Sequence, residues 1–140
     1  MSFRIAPLIL LASLTGALPL LVSPVAAQDC GDASQMGLNE CAGEALSQSD
    51  AELKRIYGQI VARLGNDAAT KGKLVAAQRA WIAFRDADCT FRAASVEGGS
   101  IHPMVVTLCR KDVTDQRIQT LKPLLSCQEG DTSCPVPAAR

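Results

Sequence analysis

Residues 73–91 read KLVAAQRAWIAFRDADCTF and hold the only tryptophan, two of the three phenylalanines and one of the six cysteines of the 140-residue chain. Leu74, Ala77, Trp81, Phe84 and Phe91 recur at intervals of three, four or seven, which on a 3.6-residue period places them along one side of a helix. Gln78, Ile82, Arg85 and Cys89 form the adjacent stripe, so a glutamine and an arginine flank the tryptophan. Arg79, Ala83 and Asp86 fill the opposite, solvent-facing side. This helix is expected to be the buried spine of the fold.

Working outward, the apolar positions Ala42, Leu46, Leu53, Ile56, Tyr57, Ile60 and Leu64 predict a helix over residues 35–64. Ser34 or Asn39 can cap it by accepting from an otherwise free amide. Ser49-Asp50-Ala51-Glu52 interrupts the stripe and spells a capping box. The stripe nevertheless resumes in phase, so one helix with a polar notch is expected. Gly65-Asn66-Asp67 ends it with turn-forming residues, and a second helix over residues 68–93 should then run antiparallel to the first. Glu97-Gly98-Gly99-Ser100 is the clearest break in the chain. The third helix starts near His102 or Pro103, where a missing amide hydrogen costs nothing, and runs to about Leu125, with Pro123 bending or ending it. The fold class that results is all-α: a small helical bundle of three main helices, two of them a long antiparallel hairpin, with the third packed across.

Residues 1–27 carry Arg4, an apolar run broken by Pro7, Gly16 and Pro19, and a Val25-Ala26-Ala27 end that suits signal peptidase. They read as a secretory signal, removed before folding. The domain then spans residues 28–126 and a tail residues 127–140. Cys30, Cys41, Cys89, Cys109, Cys127 and Cys134 all follow the signal, an even number in an exported chain, so disulfides are the default. Helix register permits Cys41 with Cys89 or Cys89 with Cys109. Cys127 and Cys134 are close enough to close a local tail loop, beyond which residues 135–140 should fray.

Acidic and basic side chains balance at 14 each, which gives no electrostatic footprint for nucleic acid or an anionic membrane. His102 is the only histidine, and with oxidised cysteines no set of soft-metal ligands is left, so neither metal nor cofactor is expected. Gln78, Arg85, Asp86 and Asp88 resemble an acid–base cluster. Arg85 and Asp88 at i,i+3 can simply pair, however, and Arg85 can stack on Trp81. Gln78, Trp81, Phe84, Arg85 and Asp88 are therefore read as a structural core network, with no catalytic residue.

The pattern AQRAWIxFRDADC, followed by EGGS at residues 97–100 and by Cys109, resembles the lysozyme inhibitor LprI-like family of bacterial envelope proteins, over roughly residues 30–121. The resemblance implies a periplasmic or secreted protein-binding chain whose partner is a lysozyme. Unlike the lipoprotein that gives the family its name, this chain has Asp29 before Cys30, which does not suit lipoprotein processing. An inhibitor must fill a cleft with two carboxylates at its floor. The loop containing Gly98, Gly99, Ser100 and His102 is the exposed segment best suited to that task. The alternative is a structural or adaptor protein of the envelope with an exposed groove for a helix or peptide.

Overall fold

The computed structural model describes residues 30–139, and the signal reading of residues 1–27 lies outside them. Three helices carry the fold: α1 (Gln35–Arg63), α2 (Ala68–Arg92) and α3 (His102–Leu121). A 3-10 turn, Ala94–Val96, follows α2, and another, Lys122–Ser126, follows α3 at Pro123. Among the described residues there is no strand, and no helix is long and apolar enough to cross a membrane.

Helix α1 is unbroken through the polar notch. Ser34 caps it, its hydroxyl accepting from the Gly37 amide at 3.1 Å, and Asp32 holds Ser34 in turn. A Cβ on Gly37 would run into Asp32, so this first turn needs a glycine for the lead-in to fold back over it. The notch persists because its polar groups have partners on α3. Buried Ser49 donates to Asp115 at 2.6 Å.

The intimate helix pair is α1 with α3, and these run parallel: Asn39 meets the Ser100 carbonyl, Ser49 meets Asp115, and Ile60 shares a cluster with Ile118 and Leu121. Parallel neighbours need a long return segment, and α2 is that segment. It runs the opposite way, Arg85 reaching Asp50 while Leu74 lies beside Leu64. It crosses the other two without forming a close hairpin with α1.

The core lies at the α1 C-terminal end, where Leu53, Ile56, Ile60, Leu64, Ile118, Leu121, Cys127 and Val136 form one buried cluster. Ile56 and Ile60, at 0% and 1% exposure, each contribute about 1.5–3 kcal/mol by leaving water. The spine of the fold is thus α1, which corrects the expectation for α2. Cys89 is the one buried residue of α2. Leu74 and Trp81 pack against the cluster half-buried, whereas Phe84 and Phe91 are 58% and 78% exposed. At 100° per residue Phe84 stands about 60° round the helix from Trp81, and a helix that touches its neighbours along one edge cannot bury both.

The disulfides join Cys30 to Cys41, Cys89 to Cys109 and Cys127 to Cys134. Of the two options for Cys89, the structure takes Cys109, because α2 closes on α3 at that level and Cys41 is committed to the lead-in. Nor does the tail fray at Pro135. The Cys127–Cys134 loop turns the chain back over the end of α1, and Val136 enters the core at 4% exposure.

Candidate partner-binding face

Two regions gather the residues that the sequence singles out. The first is the end of the bundle where α2 passes into α3. Ala93 is fully buried and stops α2; the 3-10 turn follows, and Gly98, at φ 78°, reverses the chain. That backbone conformation favours glycine. The Gly99 amide donates to the Val96 carbonyl at 3.0 Å and the His102 amide to the Gly99 carbonyl at 3.1 Å. The turn is tied down from outside as well. Asn39 Nδ2 donates to the Ser100 carbonyl at 3.3 Å, and Cys89–Cys109 clamps the two helices just below it. Gly98, Gly99 and Ser100 are exposed, while His102 is half-buried in the first turn of α3.

Around this turn four large apolar side chains are exposed, while Leu38, Val96 and Met104 are half-buried. Phe91 at the end of α2, Met36 at the start of α1, Ile101 in the turn and Leu108 on α3 are all exposed. The residues buried at this end are small: Ala42, Ala45, Cys89 and Ala93.

The second region is the junction of the three helices around Trp81. The Arg85 guanidinium lies 5.1 Å from the Trp81 ring centre and that of Arg117 lies 5.9 Å from it. Arg85 Nη1 donates to Asp50 on α1 and to Thr114 on α3, both at 3.1 Å, and Arg85 Nε donates to Asp86 at 3.2 Å. Arg117 Nε donates to Gln78 Oε1 at 3.2 Å. Desolvation lowers the Arg117 pKa from its ordinary value. Arg85 therefore stacks on Trp81 as expected, but its carboxylates are Asp50 and Asp86. Asp88 pairs instead with Arg92, one turn along α2, at 2.9 Å. Phe84 belongs to no network.

Asp50, Thr114 and Arg117 were not legible as members, because they sit 29 to 39 residues away from their partners on α2 and no local spacing reveals them. One signal did exist. The notch at Ser49 and Asp50 breaks an apolar stripe without ending its helix, as polar residues with partners on other helices do. Chemically the junction is a fastener: Asp50 and Asp86 answer Arg85, while Arg117 is held by Gln78 and the face of Trp81. Asp88, Cys89 and Cys109 place a carboxylate and two sulfurs within 4.8 Å, but both sulfurs are joined in a disulfide, so only one ligand remains.

Because α2 merely crosses α1, a shallow groove of about 310 Å³ stays open between them, walled by Leu53, Tyr57, Trp81 and Ile82, with Asp50 and Arg85 also lining it.

The family model described as "Lysozyme inhibitor LprI" matches residues 26–121, which takes in all three helices and stops short of the Cys127–Cys134 tail. An uncharacterized protein of Rhizobium meliloti (strain 1021) is 42% identical over 113 residues, covering 72% of this chain and 81% of its own length. No solved structure matches. The chain belongs to the LprI lysozyme-inhibitor family.

Proposed function

We propose that the protein is an exported binding module that inhibits a lysozyme by seating its α2–α3 turn in the enzyme's cleft. The observation that carries this reading is the exposure of Phe91 and Met36, 78% and 69%, at the end of the bundle where a disulfide holds the turn. Large exposed apolar groups around a fixed turn make an anchor whose entropy cost of binding is low. Ser100 is exposed at the turn, and its hydroxyl can donate to the carboxylates on the cleft floor. His102, half-buried, takes the supporting place behind it. Three disulfides and the family membership suit a chain that works outside the cytoplasm.

The test is a lytic assay of the oxidised mature protein against c-type and g-type lysozymes on cell-wall substrate. Inhibition is expected, with at least a tenfold loss for Phe91→Asp and for the double change Ser100→Ala, His102→Ala. Thermal stability of Phe91→Asp should stay near wild type, because the site is already in water. Failure of the wild-type protein to inhibit either class would sink the reading. The α1–α2 groove favours a second reading, an envelope adaptor that takes a helix or peptide. Under that reading Ile82→Asp abolishes partner capture while Phe91→Asp does not.

A further inference from the structure

Helix α2 presents to water a face that neither the core nor the turn explains. At about 100° per residue, Phe84 and Phe91 share one sector of the helix with Ala76, Ala80, Ala83 and Ala87, and all six are exposed. The sector lies well round the helix from Trp81, Arg85 and Cys89, which meet the rest of the bundle. From Ala76 to Phe91 no charged or hydrogen-bonding side chain falls within it. The outer side of a surface helix is ordinarily polar, so an unbroken apolar face about 24 Å long marks a contact surface.

What fits this face is its own reverse. Both phenylalanines stand in its C-terminal half, while the N-terminal half carries Ala69, Lys73, Ala76 and Ala77. Two copies set antiparallel therefore put large side chains against small ones. With the twofold axis between Ala80 and Ala83, Ala80 meets Ala83 and Ala76 meets Ala87 of the second copy, and side chains this small let the helix axes approach to about 8 Å. Phe84 then covers Ala77 of the second copy, and Phe91 lies along the methylene stem of its Lys73, whose ammonium stays in water. A parallel pair would crowd phenylalanine on phenylalanine and leave the alanine half loose. A face without charge gives an unrelated protein nothing to pair with, and closed twofold pairs are the commonest assembly of a single chain.

The area is sufficient. At about 200 Å² for a phenylalanine side chain, Phe84 and Phe91 expose about 270 Å² on each copy. With the exposed alanines added, a pair of copies buries about 1,000 Å², the lower bound for a specific interface. Association should accordingly be weak and reversible.

We infer that the protein forms a twofold dimer through antiparallel α2 helices, seamed by the alanines and closed over by Phe84 and Phe91. The dimer does not rest on lysozyme inhibition. Since Phe91 serves both surfaces, a lysozyme and a second copy exclude each other there.

Sedimentation velocity of the oxidised mature protein, from about 1 to about 500 µM as suits a weak interface, tests the dimer with no lysozyme present. The mass should rise from one chain to two and no further. Ala83→Glu puts a charge in the seam and should weaken association at least about tenfold, as should Phe84→Asp. Val75→Asp, on another side of the same helix, should change it less than about twofold. All these positions are exposed, so the variants should stay folded, which far-UV circular dichroism checks. Mixing tests the register: Ala83→Glu with Ala80→Lys faces one charge with its opposite, and the mixture should associate at least about fivefold more tightly than either variant alone. The dimer is overturned if the chain stays monomeric throughout or grows past two copies, if Ala83→Glu or Phe84→Asp associates as wild type does, if Val75→Asp is as damaging as they are, or if the mixture is no tighter than its components.

Discussion

The two ends of this bundle are held together by different physics. At the α1 C-terminal end, isoleucines and leucines from α1 and α3 close over Val136, and the stability is hydrophobic. At the turn end the fully buried side chains are small, and Phe91, Met36, Ile101 and Leu108 are exposed. Two of the three disulfides, Cys30–Cys41 and Cys89–Cys109, lie there. A covalent clamp does not need bulky side chains inside it, so the turn end can leave Phe91 and Met36 in water and still stay folded. The Trp81–Arg85 junction separates the two regimes.

Substitutions that remove one kind of stabilisation at a time can break or sharpen this contrast. The largest effect is expected from Ile56→Ala, which empties a fully buried site and should cost about 2–5 kcal/mol. A urea midpoint shift equivalent to less than 1 kcal/mol would mean that the core end is not where the stability lies. Next comes the pair Cys89→Ser, Cys109→Ser. Releasing a bridge that spans 20 residues should cost about 3 kcal/mol, and hydrogen exchange should rise selectively at the turn end.

At the junction, Arg85→Lys keeps the charge but loses the planar fork. It leaves the buried Thr114 hydroxyl with only its long bond to Asp50, at 3.4 Å, and should cost about 1–2 kcal/mol by thermal melting. The smallest effect is electrostatic. Hydrogen bonds from Thr70 hold the Asp67 carboxyl below its ordinary pKa. A depressed native pKa stabilises the fold above the unfolded carboxylate value, and the contribution fades as pH falls through the lower native one. Asp131, bonded by Ser133, has the same sign. So has Asp115, where the bonds from Lys111 and Ser49 outweigh the larger opposing effect of burial. Stability should therefore decline on the acid side of about pH 4. Asp67→Asn, which caps equally well, should flatten that decline in melts between pH 2 and pH 7.

The helices were legible in the sequence nearly to their ends, because periodicity, Gly65, Gly98 and Pro103 are local signals. What each helix faces was not. The stripe through Trp81 and Phe84 is as regular as the one through Leu53, Ile56 and Ile60, and period alone does not say which lies between two neighbours and which touches along an edge. The same gap hid the parallel pairing of α1 with α3 and the entry of Val136 into the core, both contacts between residues far apart in the chain. At the candidate site, the exposed turn was visible through its glycines. The ring of exposed apolar side chains around it was not, since Phe91 reads in sequence as one more core residue.

The order in which the cysteines pair also bears on how such a chain matures. Each bridge joins two consecutive cysteines along the chain. A polypeptide emerging amino-terminus first therefore offers an oxidant one complete couple at a time, and indiscriminate oxidation during emergence already yields the native map with no reshuffling. The α1–α3 interface behaves in the opposite way. Its halves lie about sixty residues apart, so nothing can zip up until α3 has followed α1 and α2, and Val136, which comes after α3, then covers the core end.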